Sequence, residues 1–137
     1  MRVDRFLSNL PCFNRKQVRL LLVEKRVRID GKTVSDPHAD VREFSRVEVD
    51  NEVLQAGKPL RHFMLNKPAG CVSATRDPQH PTVLDLIAEP DKDDLHIAGR
   101  LDFNTTGLML ITNDGSWSRR LTQPQTKLAK VYYVETE

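Results

Sequence analysis

Gly99-Arg100-Leu101-Asp102-Phe103-Asn104-Thr105-Thr106-Gly107, continued by Leu108-Met109-Leu110-Ile111 and closed by Thr112-Asn113-Asp114-Gly115, is the stretch from which the fold of this 137-residue chain can be read. The aliphatic run 108–111 predicts a buried strand, and Asn-Asp-Gly after it a turn. In an extended backbone, residues two apart point the same way. The spacing therefore predicts Arg100 and Asp102 side by side, with Leu101 held behind them. A carboxylate kept ionised by a neighbouring guanidinium is a candidate nucleophile or base. A solitary aspartate before a turn is by default a surface or capping residue. The arginine, the flanking glycines and the backing strand set Asp102 apart from that default.

Around this stretch the pattern stays strand-rich. Residues 62–65 and 71–73 predict strands on either side of the turn Lys67-Pro68-Ala69-Gly70. Residues 75–81 form a polar loop, 83–87 a short helix with Thr82 as its cap, and 116–121 another short helix. Val131-Tyr132-Tyr133-Val134 predicts a strand with only three residues after it. Strands outnumber the helices that would cover them, so residues 60–137 are expected to be part of an α+β domain built on a mixed, mainly antiparallel sheet. The chain is expected to be the N-terminal fragment of a longer protein.

Residues 1–54 predict a separate small α+β unit, joined through a linker at 55–59. Val3, Phe6, Leu7 and Leu10 follow helical spacing until Pro11. Asn14 and Gln17 form a capping-box pattern ahead of the apolar stripe Val18, Leu21 and Leu22. Asp30-Gly31 between residues 27–29 and 32–34 is a hairpin signal, and Val47 and Val49 alternate as a further strand. The order is helix, helix, hairpin.

Charge separates the two parts. Residues 1–58 hold 12 Lys and Arg against 9 Asp and Glu, and within residues 14–32 the balance is 7 against 2. That concentration marks Arg15, Lys16, Arg19, Arg26, Arg28 and Lys32 as candidate contacts to nucleic-acid phosphates, against the plainer reading of a solvated helix face. With 39% apolar and 29% charged residues the composition is that of a soluble globular chain. No run approaches the roughly 20 apolar residues needed to span a bilayer. The isolated Cys12 and Cys71 predict free cytosolic thiols, and the four scattered histidines show no metal-ligand spacing. Trp117 and His80 are expected to be a packing residue and a loop histidine.

Two resemblances sharpen this reading. Arg2-Val3-Asp4-Arg5-Phe6-Leu7, the helix from Arg15, and Arg26-Val27-Arg28-Ile29-Asp30-Gly31-Lys32 resemble the S-four-type (alpha-L) RNA-binding domain. In such domains the second helix and the hairpin meet RNA. Gly99-Arg100-Leu101-Asp102 with Thr105-Thr106-Gly107-Leu108, preceded by Asn66-Lys67-Pro68-Ala69-Gly70 and followed by Lys130-Val131-Tyr132-Tyr133-Val134, is similar to the three motifs of pseudouridine synthases, in their order. Residues 62–68 and 77–84 resemble the small-subunit ribosomal RNA branch more than the large-subunit paralogues. The resemblance implies that Asp102 is the nucleophile, Arg100 its partner and Tyr132 the ring that packs on the target base, with Lys67 structural. It implies isomerisation of a uridine to pseudouridine without metal or cofactor. The implied partner is small-subunit ribosomal RNA, free or in an assembling particle, met by a cytoplasmic monomer. The alternatives are a non-catalytic RNA-binding module and a large-subunit paralogue.

Overall fold

Capping and turn chemistry build the N-terminal part of the chain, as the computed structural model, which describes residues 1–137, makes explicit. Two units emerge, Met1–Pro59 and Leu60–Glu137. In the first, helix α1 (Val3–Ser8) buries Val3 and Leu7. Helix α2 (Arg15–Val23) opens with a reciprocal capping box, in which the Gln17 amide donates to Asn14 Oδ1 and the Asn14 amide to Gln17 Oε1, each at 2.8 Å. Val18, Leu21 and Leu22 face the core.

A four-stranded antiparallel sheet lies beside these helices, formed by β1 (Val27–Ile29), β2 (Lys32–Val34), β3 (Val47–Val49) and β4 (Glu52–Gln55) in the order β2-β1-β3-β4. Asp30 and Gly31 both adopt positive φ (51° and 79°), the geometry of a type I′ hairpin turn. Asp50 and Asn51 repeat it at 51° and 68°, which brings in β4, a strand sequence periodicity did not reveal. Val3, Leu7, Val18, Leu21, Leu22, Val27, Val41, Val47 and Val49 make one core. Residues 55–58 are tied to this unit. Gln55 Nε2 donates to the Arg42 and Ser45 carbonyls at 2.8 Å each, and the Lys58 amide to Glu43 at 2.9 Å. At Gly57 (φ +83°) a Cβ would stand 2.5 Å from the Phe44 carbonyl oxygen, so only glycine fits.

The second unit is a mixed α+β arrangement around a three-stranded antiparallel sheet, ordered β5-β7-β6, of β5 (His62–Lys67), β6 (His96–Ala98) and β7 (Gly107–Thr112). Register places Phe63 and Ile97 beside Ile111, and Leu65 beside Met109. These side chains share one face and pack with Cys71, Val83, Leu84, Ile87, Leu95 and Leu101. Helix α3 (Gly115–Thr122) starts on Asp114, whose carboxylate accepts the Ser116 and Trp117 amides at 3.1 and 3.3 Å. Trp117 packs against the His62 ring, with centroids 4.4 Å apart.

Three local expectations change. Residues 71–73 are not a strand; Val72 makes a single parallel bridge to Thr82, because the Ser73 hydroxyl is engaged with the Leu101 backbone. Residues 83–86 form a 3-10 turn, whose Asp85 carboxylate accepts the Thr82 amide at 2.8 Å, while the Thr82 hydroxyl itself is unpartnered. Residues 131–134 are not a strand either: no edge in the structure pairs with them, and Val131 and Tyr133 are 94% and 89% exposed. No helix is long and apolar enough to cross a membrane.

One ion pair closes the start of the second unit. Arg61 Nη2 meets Asp94 Oδ1 at 2.6 Å, and Asn113 Nδ2 reaches Asp94 Oδ2 at 3.3 Å. Burial alone would raise the Asp94 pKa, but the hydrogen bonds from Asn113 and Arg61 outweigh it and hold the carboxyl below the ordinary 3.8. A pKa lowered on folding gives stability that is present above the unfolded value and lost as pH falls through the folded one. Asp94→Asn is therefore expected to destabilise this unit at neutral pH, with the difference from wild type shrinking as pH drops below about 4. Urea unfolding followed by Trp117 fluorescence across pH 2–7 checks this; a pH-independent difference would contradict it.

Candidate active site

The loop between β6 and β7 carries Arg100 and Asp102, and its backbone is fixed from below. Lys67, the last residue of β5, is fully buried, and its ammonium donates to the carbonyls of Pro68 (3.1 Å), Asp102 (3.0 Å), Phe103 (3.2 Å) and Thr105 (2.8 Å). An ammonium has three protons, so at least one is shared among the four acceptors. No carboxylate lies within ion-pair distance; carbonyl dipoles alone compensate the charge. The Thr105 amide closes a turn onto the Asp102 carbonyl at 3.0 Å, and the Gly70 amide reaches the Phe103 carbonyl at 2.9 Å. Ser73 Oγ accepts the Leu101 amide at 3.0 Å and donates to the Leu101 carbonyl, while the Leu101 side chain packs on the core.

Arg100, Leu101 and Asp102 follow β6 in the loop, and their side chains divide as the spacing predicts: Arg100 and Asp102 are exposed while Leu101 packs on the core. Arg100 and Asp102 make no ion pair within 4.0 Å, and both side chains are exposed. They nevertheless line one open cleft of about 840 Å³, together with Thr106, Tyr132, Tyr133 and Glu135. The three residues singled out for chemistry, Asp102, Arg100 and Tyr132, thus share a cavity. The cleft offers a carboxylate, a guanidinium and the π face of a 58% exposed tyrosine, a set suited to a flat, polar heterocycle. Glu135 escaped sequence reasoning, since no motif singles it out.

In the first unit, Arg15 and Arg19 line a groove of about 610 Å³ together with Arg2, Arg5 and the apolar edge of α2. Arg2 and Arg5 were missed, though their place on the polar side of α1 was a readable signal. Arg2 is held by Asp4 through two bonds of 3.1 and 2.6 Å, and these lower the Asp4 pKa. Lys16, Arg28 and Lys32 are exposed and lie outside this groove. Arg26 is clamped by Asp50 and, at 3.0 Å, by Glu24; both carboxylates keep its guanidinium protonated and offset its charge. Of the six basic candidates it is the least free to meet a phosphate.

A family model described as RNA pseudouridylate synthase matches residues 61–137, and the S4 domain model matches residues 1–47. The chain belongs to the RNA pseudouridylate synthase family. Its relatives include the ribosomal small subunit pseudouridine synthase A of Pseudomonas aeruginosa, 64% identical over 137 residues, with 100% of this chain and 60% of the relative covered. The protein of that name from Escherichia coli K12 is 41% identical, with 100% and 59% covered. A solved structure titled as a pseudouridylate synthase aligns over 92% of this chain and 54% of its own, at 34% identity and a TM-score of 0.45. The chain thus spans about three fifths of the length of the curated relatives it matches.

Replacing Lys67 by Met keeps the bulk and removes the donor. Lys67→Met is expected to cost about 2–4 kcal/mol, because buried carbonyls lose their partner. Trp117 fluorescence during urea unfolding measures it, and stability equal to wild type would contradict this role for the ammonium.

Proposed function

We propose that the chain carries the RNA-docking unit and the nucleophile-bearing part of an enzyme that isomerises a uridine to pseudouridine in small-subunit ribosomal RNA. The observation supporting this most strongly is the single cleft shared by Asp102, Arg100 and Tyr132. The names of the relatives support the substrate class. In this reading residues 1–54 are the RNA-binding domain, and 60–137 belong to the catalytic domain of a monomeric cytoplasmic protein.

The reaction breaks the bond from C1′ of the sugar to N1 of uracil and forms one from C1′ to C5. The C5 proton leaves and N1 gains one, so product and substrate are isomers and no oxidant or added group is required. The uridine must leave its stack for either bond to be reached. Tyr132 provides a face for the extruded ring, and Asp102 provides the nucleophilic oxygen, towards either the sugar or the ring. Arg100 contributes positive charge beside the carboxylate in the cleft and fills space vacated in the RNA. Thr106 and Asn104 line the same cleft, and in this reading they meet polar edges of the base. Docking falls to the exposed arginines of the first unit, whose phosphate contacts are salt-dependent.

In the full-length protein, Asp102→Asn is expected to lower conversion by at least about a thousandfold while RNA affinity stays at the wild-type value. The double variant Arg15→Ala/Arg19→Ala is expected to show the reverse: weaker binding with a shallower salt dependence, and conversion restored at saturating RNA. Carbodiimide-blocked primer extension on small-subunit ribosomal RNA reads conversion, and filter binding reads affinity. Turnover retained by Asp102→Asn would remove Asp102 from the chemistry.

A further inference from the structure

Phe103 follows Asp102 directly, yet its ring is not among the residues lining the Tyr132 cleft. The ring is 40% exposed, and its backbone is among the most constrained in the unit, since the Phe103 carbonyl accepts from both Lys67 Nζ and the Gly70 amide. Behind it stands His80, edge-on at 5.5 Å between centroids with an interplanar angle of 72°. His80 is itself fixed. Asp77 accepts the Gln79 and His80 amides at 2.8 Å each, and its carboxylate lies 3.2 Å from His80 Nδ1. Those backbone bonds, with the His80 ring, lower the Asp77 pKa, so the brace carries its charge at neutral pH. The result is a braced, half-exposed aromatic surface, one residue from Asp102 and outside the cleft that Asp102 lines.

We infer that Phe103, braced by His80 and Asp77, is a stacking seat for the base of a nucleotide adjacent to the target uridine. The inference rests on the proposed uridine isomerisation. Extruding one base from a strand leaves its neighbours without a stacking partner, and single-stranded RNA is bound by laying such bases on aromatic rings. A ring whose backbone is hydrogen-bonded and whose flank rests on His80 has less freedom to lose when a base settles on it. The seat holds a flanking base while Tyr132 holds the target, so the loop that carries Asp102 has a second RNA contact outside the cleft. The aromatic face accepts any base, which makes the seat a positioning device for the strand and leaves sequence choice to other contacts.

The test uses the full-length protein, the variants Phe103→Ala, Phe103→Leu and Phe103→Tyr, and two kinds of RNA. One is intact; the others carry an abasic nucleotide immediately 5′ or 3′ of the target. On intact RNA, Phe103→Ala and Phe103→Leu are expected to lower kcat/KM for pseudouridine formation about tenfold, while Phe103→Tyr stays near wild type. Leucine retains apolar bulk against His80, so its loss separates stacking from simple packing. On one of the two abasic RNAs, wild type is expected to fall to the level of the variants, which lose nothing further. Wild-type rates for Phe103→Leu, or a loss by the variants that persists on both abasic RNAs, would overturn the seat. Absence of conversion by wild type on every RNA would instead overturn the proposed function, and the seat with it.

Discussion

A buried ammonium must find oxygen for its protons, and in the second unit this requirement shapes everything near the cleft. Removing a lysine charge from water costs several kcal/mol unless hydrogen bonds replace its hydration. Lys67 meets that demand with carbonyls of residues 68, 102, 103 and 105. The loop between β6 and β7 must therefore turn its carbonyls inward at Asp102, Phe103 and Thr105. With the Asp102 carbonyl inward, its carboxylate stands at the surface, on the wall of the cleft. Register reinforces the geometry: Lys67 pairs with Gly107, so the strand ending in the lysine lies against the strand on which the loop closes.

Two kinds of interaction divide the labour. The cleft depends on internal hydrogen bonds among buried groups, which are insensitive to salt and set positions closely. The groove of the first unit depends on exposed guanidiniums, each weak alone and screened by ions. The proposed activity, at one position of a large RNA, needs both, a salt-tunable grip and a fixed reactive group. The intramolecular pairing of Arg26 with Asp50 and Glu24, and of Arg2 with Asp4, shows that not every basic residue in such a segment is available to the RNA.

Much of the fold was legible because local chemistry decided it. The Asn14–Gln17 capping box, the Asp30-Gly31 turn and the alternation of Val47 and Val49 each depend on neighbours in sequence or on a simple period. The misses have separate causes. Cys71-Val72-Ser73 has strand composition, but Ser73 bonds Leu101, 28 residues away, and the backbone follows that bond. Residues 131–134 have strand composition but pair with no strand. The Asp50-Asn51 turn lacks the glycine that usually marks such a turn, which hid β4. At the site, the motif order and residue types identified Asp102, Arg100 and Tyr132 as a group, and one cleft holds them. The Arg100–Asp102 ion pair does not form, although both side chains stand on one cleft and Leu101 packs on the core as expected, and the partners of Lys67 were invisible because they are carbonyls that any residue carries.

Whether the buried ammonium orders the loop is tested most directly by hydrogen exchange at the Gly70, Leu101 and Thr105 amides, whose acceptors are the Phe103 carbonyl, the Ser73 hydroxyl and the Asp102 carbonyl. Wild type and Lys67→Met are compared at conditions adjusted to equal global stability, with the β5–β7 amides as internal reference. If the buried ammonium orders the loop, these three amides exchange at least about tenfold faster in the variant while the strand amides are unchanged. Equal protection of the loop in both proteins would contradict the claim.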